Sequence, residues 1–258
     1  MNHIKTQCPA KINLFLRVLD KRIDGYHNIE TSFQLIDLYD LISFEKITDE
    51  IIIESNEDYL GGEDNTIYAS AIKVKEYLSD KKYGVKINIK KNIPTGSGMG
   101  GGSSNAASTI IALNKLWDLN LSKEILSKIA KEIGADVPFF MFGKNALGNG
   151  IGDELQEVSS IGDNILIIDP LIHNSSKNMF SLLKQRKEIK NNSLYKQNHF
   201  FDVFVESNKE VKDFVKKFNK DYVINLTGSG SCMFICYKDE KEINEILKKI
   251  PSKWRLFF

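Results

Sequence analysis

The chain has 258 residues, with 35 basic and 34 acidic side chains and a net charge of +1. That balance leaves no electrostatic footprint for nucleic acid or an anionic membrane. At 42% hydrophobic residues the composition is that of a globular protein with a sizeable core, and no apolar run reaches the roughly 20 residues of a membrane span.

The first residues, "MNHIKTQCPAKINLFLRVL", are broken by Lys11, Asn13 and Arg17, unlike a signal peptide, so a cytoplasmic location is expected. Residues 10–19 and the Ile-rich 41–54 read as strands. Residues 64–78 begin with capping residues and carry an apolar stripe of Ile67, Ala71, Val74 and Leu78, which predicts a helix. Residues 84–94 alternate, with Val85, Ile87 and Ile89 on one face, as a half-exposed strand does. Helices are expected over 103–117 and 122–134, the second with Ser122 as N-cap and Gly134 as stop.

In the second half, "NILIIDP" reads as a buried strand, and "NMFSLLKQR" and "NKEVKDFVKKF" as helices. "YVINLTGSGSCMFICY" reads as strand, glycine turn and strand, "KDEKEINEILKKI" as a helix and "KWRLFF" as a last strand. The lysine-rich stretch 184–199 reads as a solvated surface excursion. Cys8, Cys232 and Cys236 lack CxxC spacing, so buried thiols are expected rather than a disulfide framework or a zinc site. There is no internal repeat or long linker. The order of elements predicts an α+β lobe over residues 1–155 and a smaller α+β lobe over 156–258.

The stretch "PTGSGMGGGSSNAAS" at 94–108 holds five glycines in seven residues and runs into a predicted helix. Glycine costs entropy on folding, so such a run implies a tight turn or a ligand pressed against the backbone. A P-loop needs a lysine after its last glycine, and here Gly102 and Ser103 follow Gly101. Gly96, Gly98 and Gly101 do fit GxGxxG, with Asp118 near the ribose-acid distance. Against that reading, the preceding strand alternates where a central parallel strand is continuously apolar, and Pro94 intervenes. A glycine–serine loop at a helix start, whose N–H groups form an anion nest for a triphosphate, fits best.

Phosphoryl transfer also needs a group at the acceptor hydroxyl. Asp136 in "GADVPFF" lies among Val137, Pro138 and two phenylalanines, where a carboxylate needs a partner. It reads equally as a turn or cap residue. Lys11 and Asn13, two apart in an apolar strand, share a face. Pairing Lys11 with Asp136 satisfies both charges.

Four segments, "PAKINLFLRVLDKRIDGYH", "NIPTGSGMGGGSSNAAS", "GADVPFF" and "LTGSGSCMFICY", occur in that order between about residues 8 and 237. Together they resemble the GHMP kinase superfamily. "DGYH" and "GADVPFF" point to a branch acting on a cytidine diphosphate sugar alcohol. The resemblance implies a two-lobed α+β fold, with an N-terminal lobe like ribosomal protein S5, a ferredoxin-like C-terminal lobe and the active site between them. It implies ATP as phosphoryl donor, cradled by Pro94, Thr95, Gly96, Ser97, Gly98, Met99, Gly100, Gly101, Gly102, Ser103 and Ser104, with the last four nearest the phosphates.

On the same resemblance, Asp136 is the acid–base group and Lys11 its partner. Asn13, Tyr26, His27 and Phe180 bind the acceptor, Phe180 stacking on the base across from Tyr26. The turn from Thr227 to Ser231 closes the site. No acidic magnesium ligand stands out, so Mg2+ is expected to be held mainly through ATP phosphates and water. A monomer or homodimer is expected, without nucleic-acid or membrane partners. Two departures from the family pattern are Ser176 in place of a threonine and Asp153 in place of a glutamate. The rival readings are a GHMP kinase for homoserine, galactose or a mevalonate, and a ligand sensor that lost the chemistry. A sensor has no reason to keep Lys11 and Asp136.

Overall fold

The computed structural model describes residues 2–57, 65–79, 82–184, 198–218 and 222–258. Strands β1 (His3–Lys21) and β2 (His27–Thr48) form a long antiparallel hairpin. The second half of β2 pairs with β4 (Tyr83–Lys90), which carries β3 (Ile51–Ser55) in parallel on its far edge. The first half pairs with β5 (Ala146–Asn149), followed by β6 (Glu154–Glu157).

Against this sheet pack α1 (Thr66–Lys75), α2 (Gly101–Leu116), α3 (Lys123–Ile133) and α4 (Val137–Phe142). The strand face contributes Phe44, Val85 and Ile87; the helices contribute Ile67, Val74, Ile110, Ile129 and Phe139. The predicted stripe of α1 and the alternation of β4 are thus the two sides of one core. Asn65 caps α1 by accepting from the Ile67 N–H, and Ser122 caps α3 by accepting from the Ile125 N–H.

The second sheet has β7 (Asn164–Asp169), β8 (Asn225–Leu226), β9 (Met233–Tyr237) and β10 (Arg255–Phe257) in the order β10-β7-β9-β8, all antiparallel. Its core joins Leu166, Ile168 and Ile235 to residues of α5 (Ser176–Lys184), α6 (Phe201–Ser207), α7 (Lys209–Phe218) and α8 (Glu240–Leu247). A third cluster joins the two lobes. Ala10, Ile12, Ile93 and Met99 from the first meet Ile167, Cys232 and Phe234 from the second.

The structure departs from the sequence reading in places. The strand expected over 41–54 is interrupted by a turn where Asp49 takes φ +63°. The strand instead extends back to His27, through the buried polar residues Thr31, Ser32 and Gln34 that break the apolar alternation. The second helix starts at Gly101 rather than 103. The short α4, α6, β5 and β6 lacked a periodic signal long enough to read. Most of the expected surface excursion, residues 185–197, lies outside the described residues. All three cysteines are free thiols. Among the described residues, no helix is long and apolar enough to cross a membrane.

Ile12 is fully buried in the cluster between the lobes. Ile12→Ala should therefore cost about 2–5 kcal/mol of stability, read from the denaturant midpoint. An unchanged midpoint would contradict the packing described.

Candidate active site

The glycine loop is fixed at its entrance by a buried charge. Asp40, with no solvent exposure, accepts hydrogen bonds from the Asn92 and Ile93 N–H groups at 2.7 and 2.9 Å and pairs with the Lys91 ammonium. A buried carboxylate is tolerated when paired and fully hydrogen-bonded, and here those bonds set the course of residues 91–93. Lys91 lies under the start of α2, where a Cβ at Gly101 would approach its Nζ to 3.1 Å. Sequence reading missed both residues: Asp40 falls just before the strand expected over 41–54, and Lys91 passed for an exposed position of the alternating strand over 84–94.

The loop then doubles back beside the second glycine turn. Gly98 has φ +78°, and a Cβ there would lie 2.1 Å from the Thr227 carbonyl oxygen, so no side chain fits. Thr227 Oγ1 donates to the Gly98 carbonyl at 3.2 Å, and the Cys232 N–H donates to the Ser97 carbonyl at 3.0 Å. Gly100, in the left-handed region, serves as the N-cap of α2 without a side-chain hydrogen bond, and there is no acid in the first turn. The first-turn N–H groups have no intrahelical partners and carry the positive end of the helix dipole.

These groups line a cavity of about 380 Å³ together with Asn65, Thr66 and Lys91. Pro94, Thr95, Gly96, Ser97, Gly98, Gly100, Gly101, Gly102 and Ser103 stand on its wall. Met99 and Ser104 do not: Met99 packs between the lobes, and the Ser104 hydroxyl turns inward, buried, with no hydrogen-bond partner among the described residues.

Beside this cavity lies the Lys11 ammonium, with a 3% exposed side chain, between three partners. Asn13 Oδ1 accepts from it at 2.6 Å, Asp136 Oδ2 stands at 3.5 Å and the Phe33 ring lies beneath, 5.5 Å to its centroid. Strand β1 explains how: its middle is buried on both faces, Ala10 and Ile12 toward the second lobe and Lys11 and Asn13 on the opposite side. Asp136 is the N-cap residue of α4, yet its side chain makes no cap hydrogen bond and is 31% exposed. The carboxylate is directed at Lys11 and the cavity instead of the helix. Burial pushes the Lys11 pKa down from the ordinary lysine value, and the Asp136 carboxylate partly offsets this.

A second cavity, about 890 Å³, opens on the other side of this pair and is lined by Asn13, Tyr26, His27, Ile29, Lys177, Phe180 and Phe200. Tyr26 is 57% exposed. Phe180 stacks on His27, with ring centroids 5.0 Å apart and planes 17° apart. The imidazole therefore covers a face of Phe180, the ring that the resemblance set against the base across from Tyr26. The two cavities share Lys11, Ser103, Asp136, Ser176, Gly228 and Ser229 as a common wall. Asp136 is the one carboxylate lining either cavity among the described residues. Ser176, at the departure from the family pattern, bonds Ser229 oxygen to oxygen at 2.8 Å. Asp153, the other departure, pairs with Lys131 at 2.7 Å, away from both cavities.

Residues 65–144 match the GHMP kinases N terminal domain and residues 179–256 match the GHMP kinases C terminal family. The chain belongs to the GHMP kinases, and within them to the family of 4-diphosphocytidyl-2-C-methyl-D-erythritol kinases. It is 38% identical to the protein of that name from Francisella philomiragia subsp. philomiragia, over 96% of this chain and 94% of that one. Its identity to the Marinomonas protein of that name is 34%, covering 99% and 86%. A crystal structure of 4-(cytidine 5'-diphospho)-2C-methyl-D-erythritol kinase superposes with a TM-score of 0.74 at 25% identity, over 98% of this chain and 97% of that one. The Methanococcus jannaschii mevalonate kinase shares the fold alone, with a TM-score of 0.66 at 18% identity.

The depressed Lys11 pKa gives a signed expectation. The ammonium loses its proton as pH rises, so turnover should fall along an alkaline limb below about pH 10.4, the ordinary lysine value. Lys11→Arg, which stays charged, should retain residual turnover without that limb. The same limb in a pH–rate profile of Lys11→Arg would contradict the assignment.

Proposed function

We propose that this enzyme transfers the γ-phosphoryl group of ATP to the 2-hydroxyl of 4-diphosphocytidyl-2-C-methyl-D-erythritol. The products are the 2-phosphate and ADP, in the methylerythritol phosphate route to isopentenyl diphosphate. The observation that carries the reading is the wall common to the two cavities. A triphosphate lying along the start of α2 and an acceptor in the larger cavity meet only there, at Lys11, Ser103 and Asp136. The larger cavity suits a cytidine diphosphate sugar alcohol better than an acceptor the size of homoserine.

The chain's groups divide the chemistry as follows. The N–H groups at the start of α2 and the Lys91 ammonium hold the phosphates, so the transferred group lies in line with the acceptor. Asp136 accepts the hydroxyl proton, directly or late in the transfer. Lys11 orients the Asp136 carboxylate and offsets the negative charge that develops on the transferred phosphoryl oxygens. Tyr26, His27 and Phe180 hold the cytosine: the His27 ring turns off Phe180 to bond the base edge, and the base takes its place on the Phe180 face across from Tyr26. Asn13 lies on the acceptor side of Lys11.

Mg2+ would be held mainly by phosphate oxygens and water, and Asp136 and Ser103 are the side chains on the shared wall that could join it. When bound it neutralises phosphate charge. Residues 1–155 and 156–258 act as the two lobes that close on the substrates, and the enzyme works in the cytoplasm.

Asp136→Asn should fold and bind ATP normally and lose turnover by at least about 100-fold, the usual contribution of a positioned acid–base group. A coupled ADP-release assay with ATP, Mg2+ and the cytidyl substrate checks this. Near wild-type turnover in the variant would remove Asp136 from the mechanism, and ADP release independent of the cytidyl substrate would remove the proposed acceptor.

A further inference from the structure

The Asn13 side chain ends in one acceptor and one donor atom, and which of them faces Lys11 decides whether the ammonium is stabilised or repelled. Its hydrogen bonds settle the orientation. Thr31 Oγ1 gives its single proton to the Phe15 carbonyl at 2.6 Å. Toward Asn13 it is left only as an acceptor, and Asn13 Nδ2 donates to it at 2.7 Å. The amide nitrogen is therefore held on the Thr31 side. The amide oxygen faces the opposite way, where it accepts from Lys11 Nζ at 2.6 Å and from the Gly228 N–H at 2.9 Å. One oxygen atom thus joins the ammonium of the first lobe to the glycine turn of the second. A reversed amide would set its NH2 against two other donors.

Strand geometry supplies the arrangement. The register of β1 on β2 shifts between Asn13 and Phe15, so that Leu16 faces Thr31. That irregularity brings the Phe15 carbonyl and the Asn13 side chain to one hydroxyl. Thr31 itself is fully buried and lines neither cavity.

We propose that Thr31 is a positioning residue for phosphoryl transfer: its hydroxyl fixes the Asn13 amide, and through it the Lys11 ammonium and the 227–231 turn. The proposal rests on the placement of Lys11 in the reaction given above. Valine has nearly the shape of threonine but neither accepts nor donates. Thr31→Val removes the acceptor that anchors the Asn13 NH2, so the amide is held at its oxygen alone and shifts in place, and it leaves the Phe15 carbonyl without its donor. Serine keeps the hydroxyl.

The test compares Thr31→Val and Thr31→Ser with Thr109→Val. Thr109 is equally buried and donates to the Asn105 carbonyl inside α2, in the core. The measurements are thermal midpoint, kcat, KM for ATP and for the cytidyl substrate, and hydrogen exchange at the Gly228 amide without substrates. Thr31→Val should lower kcat roughly tenfold or more, the effect of losing a hydrogen bond to a charged network. KM should change little and Gly228 exchange should quicken. Thr31→Ser should restore both, and Thr109→Val should lower only the thermal midpoint.

Wild-type kcat and unchanged Gly228 exchange in Thr31→Val would overturn the proposal, leaving Thr31 a packing residue. If that variant does not fold, Thr31→Cys fills the space with a poor acceptor, and wild-type kcat there overturns the proposal equally. Wild-type protein without turnover on the cytidyl substrate would count against the functional reading instead, while Gly228 exchange would still test Thr31.

Discussion

A lysine ammonium taken out of water is the constraint on which the rest of this structure depends. An unpaired buried charge costs several kcal/mol even after relaxation, so Lys11 can be where it is only if its partners come with it. They arrive from different parts of the chain: Asn13 from the same strand, Phe33 from β2 and Asp136 from the start of α4. Asn13 in turn reaches the second lobe at Gly228. The charge is thus satisfied within the first lobe, and the oxygen that accepts from it also joins the two lobes. The cluster of Ala10, Ile12, Met99 and Phe234 on the other side of β1 supplies the apolar burial that holds them there.

The phosphate cradle follows the same logic with the backbone in place of side chains. Asp40 anchors the chain just before the loop, the Thr227 hydroxyl ties it to the second glycine turn, and Gly100 starts α2 without a side-chain cap. A helix whose first N–H groups are left to a cavity, with no acid in its first turn, presents donors and positive potential. The wall shared by the cradle and the larger cavity then contains a lysine and a single carboxylate, a combination suited to moving a phosphoryl group between them.

Much of this was legible in the sequence. Five glycines and two serines opening a helix have few uses, and Lys11 and Asn13 stand out as polar pairs in an apolar strand. Asp136 was ambiguous on its own, and only the resemblance and then the geometry separated a cap from a partner for Lys11. Other features were hidden for physical reasons. Thr31, Ser32 and Gln34 are polar yet buried, and β2 loses its alternation where it passes the site; Gln34, for example, accepts from the distant Ile161 N–H at 2.9 Å. The Asp40–Lys91 pair joins residues 51 positions apart, and no local pattern reports such a contact. That His27 would lie on Phe180 depends on the packing of one lobe on the other, which sequence periodicity does not encode.

The central claim is that the acceptor hydroxyl meets Asp136 and Lys11 at the wall between the two cavities. A crystal structure with a non-hydrolysable ATP analogue, Mg2+ and 4-diphosphocytidyl-2-C-methyl-D-erythritol tests it most directly. The account predicts the 2-hydroxyl within about 2.6–3.2 Å of the Asp136 carboxylate, with the triphosphate along the start of α2 and the cytosine beside Tyr26, His27 and Phe180. A complex with the 2-hydroxyl out of reach of Asp136, or with the triphosphate away from Gly101–Ser103, would contradict it.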